Sequence, residues 1–544
     1  HRSVMREALV LLGPLVLLGL LSSVLSASIP SVPAAPLPKL PKCPLLFQLN
    51  TRVLLDEISA QQKKRATLDD FPDEQLDQIA KDGYDFVYFL GVWQTGDHGI
   101  KKSLQVIQHD ACCKGLPKEA ACSSPFAVTD YSTHKDFGGD EALQRLRDRC
   151  HARGLRLMLD FVPNHMAVDH PWTKNRPELL IQGSENSLHR EPQNFFKVGD
   201  RVFAHGKDMY YDGWTDTVQL NYGSPALRTE MGNILRKIAG LADGVRCDMA
   251  MLICEDVLEK TWGGRLSPPG QQRASGQFWT PAICGAKQVN PSFTFVAECY
   301  WDREYQLHQL GFDFCYDKTL YDRLKQGDPS SIESHLRADM KYQSKLVRFL
   351  ENHDEDRAAH TWPDSRQNLA AATIAYTIPG LHFIHDGQQL GRVRRISMHV
   401  NRRLPESEDI KDHSLKERYT RLIKALGNRA IRDGDWAQCK VTPSLDGNPS
   451  HSRIVAHCLR SPGGDSDSAG VLVVVNYCGE GSNGHVIMPS SLFGGLRGKR
   501  CQLVDQLSSQ TVDKDGSILI GEEHNGFWMQ LAPFQAHLFE IRSN

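Results

Sequence analysis

The sequence predicts an α/β protein: a (β/α)8 TIM barrel with a small inserted domain after strand 3 and a C-terminal antiparallel β-sandwich. Three observations carry this. Short apolar runs alternate with helical stretches from residue 45 onward, as in a parallel sheet whose crossovers are helices. Carboxylates recur at the ends of several runs, where such barrels place their sites. Beyond residue 430 the pattern changes to short strands between glycine-rich turns.

The runs are Leu45–Leu49, Phe86–Val92, Leu155–Val162, Gly244–Met249, Phe293–Cys299, Phe312–Tyr316, Leu346–Leu350 and Leu381–Ile384. All are short enough for buried strands. Helical stretches between them include Asp73–Lys81, Asp140–Arg153 and Pro225–Leu241. Gly139-Asp140 opens the second of these and Gly154 closes it. The interval from Val162 to Pro225 is too long for a plain crossover and is rich in Asn, Gly, His and Trp. It reads as an inserted subdomain, about 166–224, in a barrel spanning 45–429. In the sandwich, 430–544, the expected strands are Ile454–Cys458, Val471–Tyr477, His485–Met488, Gln502–Val504, Ser517–Ile520 and Ala536–Ile541.

Composition excludes some partners. The chain has 544 residues, 40% hydrophobic and 24% charged, with a formal net charge of −2. No global basic field calls for nucleic acid. Arg2 and Arg6 precede an apolar run, Ala8 to Leu21, and then small residues at Ser22 to Ser28. That is the layout of a secretory signal peptide over 1–28, followed by a proline-rich linker over 29–44. The expected location is secreted or lumenal, the alternative being an N-terminal membrane anchor. The run is short for a span and contains Pro14, and no later run is long enough to cross a membrane, so no stable membrane insertion is expected. Some of the fourteen cysteines should then be paired. Cys112, Cys113 and Cys122 crowd a polar loop and are expected to bridge. Cys247, Cys254, Cys299 and Cys315 fall in or beside apolar strands and read as core.

The chemistry centres on Arg246 and Asp248. Side chains two apart on a strand share a face, so the arginine should hold the carboxylate ionised and titrating low. Three more strand ends carry carboxylates: Asp160 in Asp160-Phe161-Val162-Pro163-Asn164-His165, Glu298 in Phe295-Val296-Ala297-Glu298, and Glu351 and Asp354 in Glu351-Asn352-His353-Asp354. Glu298 follows three apolar residues and lies near other carboxylates, which should raise its pKa. Trp93, Trp172, Tyr210, Tyr211 and Trp214 stand in loops above the barrel, where sugar rings could stack.

With these four segments in order, the sequence resembles the α-amylase family of glycoside hydrolases and transglycosylases (glycoside hydrolase family 13). Smaller matches are Val128-Thr129-Asp130-Tyr131, Leu220-Asn221-Tyr222 and Pro379-Gly380. The resemblance implies a retaining enzyme acting on α-glucosidic linkages, with an α-glucan or α-glucoside as partner. Asp248 matches the nucleophile, Glu298 the general acid/base, and Asp354 the carboxylate that holds sugar hydroxyls. Arg246, His165, His353, Tyr131 and Asp160 match the substrate-binding set, Tyr131 as a stacking platform. Asn164 matches an asparagine that binds calcium in many members; no organic cofactor is expected. Met251 and Leu252 stand where many starch-degrading members carry a basic residue and a histidine, and Gln388 stands where a glutamate is common. The apolar pair points to short oligosaccharides or non-water acceptors rather than rapid internal cleavage of starch. An alternative of another class is a catalytically silent amylase-like ectodomain used in protein interaction.

Overall fold

The computed structural model describes residues 37–267, 272–406, 413–463 and 469–543. The signal-peptide segment, and the linker up to residue 36, lie outside the described residues. Eight parallel strands close into a barrel: β1 (Leu45–Asn50), β2 (Phe86–Leu90), β3 (Arg156–Phe161), β4 (Gly244–Cys247), β5 (Thr294–Ala297), β6 (Phe314–Tyr316), β7 (Leu346–Arg348) and β8 (Leu381–His385). Each pairs with its neighbours in sequence, and β1 closes onto β8 with Leu45 opposite His382. All eight expected strands are present.

The strands form because they are apolar on both faces. Leu45, Leu46, Phe86, Val87, Leu157, Leu159, Val245 and Phe295 are all fully buried, the near-continuous burial typical of parallel strands covered by helices. The helices start where side chains satisfy their free N–H groups. Ser224 accepts from the Leu227 N–H ahead of Pro225–Leu241, whose first residue is a proline. Gly138, at φ 96°, turns the chain into the helix Gly139–His151.

Polar residues interrupt the barrel interior toward one end. Arg246 lies opposite Asp160 on one side and Val296 on the other, and Gln48 opposite His385 and Tyr88. Above that layer the segment after β3 leaves the barrel. His165–Ala167 pairs antiparallel with Thr217–Gln219, and a three-stranded sheet of Gln182–Gly183, Phe195–Val198 and Arg201–Ala204 lies between them in sequence.

The C-terminal region packs two sheets around a second core that includes Leu472, Val474, Phe493 and Phe539. Its strands are β9 (Asp435–Gln438), β10 (Lys440–Thr442), β11 (Ile454–Arg460), β12 (Gly470–Asn476), β13 (Ser482–Ile487), β14 (Arg500–Asp505), β15 (Thr511–Asp515), β16 (Phe527–Leu531) and β17 (Ala536–Ser543). One sheet runs β9-β11-β12-β17-β14-β15 and the other β10-β13-β16. The expected strand Ser517–Ile520 is instead a helical turn, Gly516–Leu519, because Asp515 accepts from the Ser517 N–H and caps it. The strands at β9, β10, β15 and β16 are additional; β16 alternates buried and exposed residues. The sandwich is pinned to the barrel where Tyr477 OH donates to Leu324 O at 2.8 Å and where Thr377 Oγ1 meets His457 Nε2 at 2.8 Å.

Disulfides are a correction. All fourteen cysteines are free thiols. Cys112 Sγ lies 2.7 Å from Asp110 Oδ1 and accepts from Arg395, and Cys113 is buried. Cys247, Cys254, Cys299 and Cys315 are core residues as expected. Among the described residues no helix is long and apolar enough to cross a membrane.

Between β6 and β7 the fold buries a charge network. Arg348, fully buried, donates to Asp317, to Pro379 O at 2.9 Å and to Gln343 O at 3.0 Å, while His335 Nε2 lies 2.9 Å from Asp317. Removing one partner strands a buried charge. Asp317→Ala should therefore destabilise the chain by about 3–5 kcal/mol in urea unfolding. Asp317→Leu combined with Arg348→Met should recover most of that loss; an additive double mutant would contradict this account.

Candidate active site

The site is assembled at the ends of β4, β5 and β7. Asp248 N–H donates to Phe161 O at 2.8 Å, carrying the β3–β4 ladder one residue past the strand. Glu298 N–H does the same to Cys247 O at 3.0 Å. Between these carboxylates in space sits Arg246, 1% exposed. Its Nη1 donates to Asp248 Oδ1 at 2.7 Å and its Nη2 to Glu298 Oε2 at 2.6 Å, with Asp354 Oδ2 at 3.9 Å. The guanidinium also lies 5.3 Å from the Phe126 ring and 5.9 Å from the Tyr316 ring, both within cation–π range.

Backbone strain aims a further donor. Met249 has φ 42°, a left-handed conformation unusual for a residue with a side chain. Its N–H reaches Glu298 Oε2 at 2.7 Å. Tyr300 OH donates to Glu298 Oε1 at 2.9 Å, and two left-handed residues, Trp301 and Asp302, follow. Asp354 is positioned from β7. Asn352 Oδ1 accepts from the Asp354 and Glu355 N–H groups, both at 2.8 Å. Gln48 Nε2 donates to His353 Nδ1 at 3.0 Å, so the ring proton is on Nε2, 2.9 Å from Asp354 Oδ2.

A cavity of about 300 Å³ opens over these groups and is lined by Asp248, Glu298, Asp354, His165, Trp214 and Tyr300, among others. That is the small end of the usual range for ligand sites. A roomier hollow of about 390 Å³ beside Arg52 and Asp136 holds none of these carboxylates.

Residues 123–421, more than half of the chain, match the alpha-amylase family model (alpha amylase, catalytic domain). The chain belongs to the α-amylase family. Among curated proteins, this family member is 24% identical over 287 residues to Alpha-amylase 3 of Dictyoglomus thermophilum, a match covering 49% of this chain and 53% of that protein. It is 43% identical over 315 residues to Probable oligo-1,6-glucosidase 2 of Bacillus subtilis, covering 49% and 55%. The chain thus spans about half the length of the curated relatives it matches. Among solved structures, a maltogenic alpha-amylase from Thermotoga neapolitana shares the fold at TM-score 0.62 and 18% identity, covering 92% of this chain and 99% of that one.

The environment separates the three carboxyls of this α-amylase family member. Burial pushes Glu298 up to about 7, with the charges of Asp248 and Asp354 adding to it against Arg246. Burial also raises Asp248, a correction to the expected low value. The single guanidinium is divided between two carboxyls, and its pull on Asp248 does not outweigh the lost hydration. Asp354 goes the other way: burial alone would raise it, but His353 and Arg246 hold it at about 2. Its side chain is 43% exposed, so it stands at the water-facing edge of the set.

His165 and His353 also stand with the carboxylates: His165 lines the cavity and packs on Trp214 with ring centroids 5.1 Å apart. Four of the five expected binding residues do not line it: Arg246 and His353 bear on the carboxylates themselves, and Tyr131 and Asp160 are engaged elsewhere. Tyr131 is 3% exposed, and its OH both donates to Val162 O and accepts from Val162 N–H, so it braces β3 rather than offering a stacking face. Asp160 is buried at the barrel axis, where it accepts from Tyr88 OH and from Gly91 N–H. Met251 and Leu252 are turned into the core. Trp93 is fully buried, while Tyr210 and Tyr211 are exposed. Phe126, Ser124, Asp216, Tyr300 and His399 also line the cavity. Tyr300, two residues after Glu298, had a sequence signal; Asp216 and His399 are brought in by folding alone.

The residues around Asn164 do not fit a calcium ion. Asn164 Oδ1 accepts from Gln219 Nε2 at 3.0 Å, and the same nitrogen lies 2.9 Å from Asn164 O and 3.2 Å from Leu220 O. An N–H donor therefore occupies the place among three oxygens that a cation would need. Among the described residues no group of three or more His, Cys, Asp or Glu could hold a metal. The thermal midpoint should be the same in calcium and in chelator. Gln219→Ala should cost about 1–3 kcal/mol by leaving buried oxygens unpaired. A midpoint that rises with calcium would overturn this reading.

Glu298 also links stability to pH. Between the ordinary 4.5 and the buried value near 7, the folded state binds a proton that the unfolded state has released. Stability should fall as pH rises through that window. Burial raises Glu304 and Glu351 to about 7 as well, so Glu298→Gln should make the slope between pH 4.5 and 7 shallower without abolishing it in denaturant titrations; an unchanged slope would rule out Glu298 as a contributor.

Proposed function

We propose that this chain is a retaining glycosidase or transglycosylase acting on α-glucosidic linkages of short oligosaccharides, exported from the cytosol by its N-terminal segment. The observation that carries the reading is the single buried guanidinium bonded to both Asp248 and Glu298. Two carboxyls on adjacent nitrogens of one arginine fit the spacing of about 5 Å that retaining enzymes use. The printed names of the relatives, an alpha-amylase and an oligo-1,6-glucosidase, point to the same substrate class.

In this reading Asp248 Oδ2, the carboxyl oxygen not held by Arg246, attacks the anomeric carbon. As the C1–O(Asp248) bond forms, the C1–O bond to the leaving group breaks, and Glu298 gives its proton to the departing oxygen. Glu298 then takes a proton from water or an acceptor hydroxyl, whose oxygen attacks C1 and releases Asp248. A Glu298 pKa near 7 keeps the acid protonated at the start. Asp354, held low by His353, stays ionised to accept sugar hydroxyls. The small cavity favours short substrates over an internal stretch of polymer.

Proton NMR of the earliest product should show the α-anomer, and Asp248→Asn should lower kcat by roughly three or more orders of magnitude with the fold unchanged by circular dichroism. Initial β-product, or near-normal turnover by the variant, would exclude the assignment. On soluble starch, reducing ends should appear well before viscosity falls; a rapid viscosity drop with little reducing sugar would exclude the preference for short substrates.

A further inference from the structure

The cavity contains a second polar pair that the carboxylate set does not use. Asp216 lies in the insert between Trp214 and Thr217 and is 9% exposed. It lines the same cavity as Asp248, Glu298 and Asp354. Among the described residues its carboxylate makes no hydrogen bond and no ion pair, although its charge is felt by His165, His205 and His399. Its oxygens are open to the cavity, where a bound ligand rather than the protein would donate to them.

His399 comes from the other side, on the segment after β8, and lines the cavity too. Ser103 Oγ lies 2.9 Å from Gly99 O and 2.8 Å from His399 Nδ1. Nδ1 is thus taken up by Ser103, while Nε2 makes no hydrogen bond among the described residues. Burial keeps the ring neutral by pushing its pKa below the ordinary value. The cavity thus presents a carboxylate from the insert and an imidazole from the segment after β8, with no protein partner for the carboxylate or for the ring's Nε2 among the described residues. The groups that supply several donors on a rigid ring are the hydroxyls of a sugar.

We propose that Asp216 and His399 form a hydroxyl-recognition pair that binds the reacting sugar ring through hydroxyls that must be free. A hydroxyl already carrying another sugar has no proton to donate. The pair therefore selects a terminal, unsubstituted glycosyl ring and makes the site exo-acting, taking α-glucosides from the non-reducing end. This rests on the proposed glycosidase function and adds the part of the substrate that is read.

The test compares nitrophenyl α-glucoside with its 2-, 3-, 4- and 6-deoxy analogues on wild type, Asp216→Ala, Asp216→Asn and His399→Ala. Wild type should reject at least one analogue by about 10- to 100-fold in kcat/KM, the cost of an unmet buried acceptor. Asp216→Ala should lose a similar factor on the parent glucoside and lose the discrimination against that analogue, the signature of a direct contact in a mutant cycle. A merely structural role would slow all substrates alike and preserve the discrimination, which would overturn the proposal. If Asp216→Ala does not fold, the near-isosteric Asp216→Asn carries the same comparison. A wild-type chain that turns over no α-glucoside would count against the glycosidase reading and not against the pair. Calorimetry with 1-deoxynojirimycin then decides: tenfold weaker binding to Asp216→Asn supports the pair, and equal binding overturns it.

Discussion

One guanidinium sets the terms for the rest of the site. Arg246 is buried at the barrel axis and bonded to Asp248 and Glu298. A charge in that position is tolerated only if acids meet it, and acids crowded in that position are tolerated only with a cation among them. The barrel supplies the geometry: β4 sits between β3 and β5, so its inward residue lies within reach of what both neighbours carry past their ends. With one positive charge shared among several carboxyls, one of them has to give up its charge first. Glu298, wholly enclosed, is that one; Asp354, half open to water and backed by His353, is the last.

The barrel was legible because burial on both faces writes itself into composition. Runs such as Leu45–Asn50 and Phe86–Leu90 leave few alternatives to strands, and eight of them alternating with helical stretches leave few alternatives to closure. The sandwich was legible only in outline. Its edge strands, β9 and β15, are largely polar, so no apolar run announced them, and Ser517–Ile520 looked like a strand until the Asp515 cap decided its backbone. Local hydrogen bonds of this sort outweigh propensity over four residues.

The site was legible where it is built by strand ends and illegible where it is built by loops. Arg246, Asp248, Glu298 and Asp354 follow from position along the barrel. Tyr131 and Asp160 carry the right motif but serve beneath the cavity, because their hydroxyl and carboxyl groups are consumed by Val162, Tyr88 and Gly91. The titration of Asp248 was misjudged for a related reason: a neighbouring arginine is visible in sequence, but how many other acids share it is not. Asp216 and His399 lie far apart in the chain, and no periodicity connects an insert to the loop after β8.

Met249 gives the site a particular kind of fragility. Its left-handed backbone costs of order 1 kcal/mol, which glycine would recover. The methionine nevertheless occupies the turn that points an N–H at Glu298 and lines the cavity with its side chain. A redesign that scored stability alone would rewrite this residue, and Trp301 and Asp302 after it, among its earliest choices. Protein engineers seeking a hardier version of this chain would therefore do best to freeze these three positions and look for gains in the sandwich.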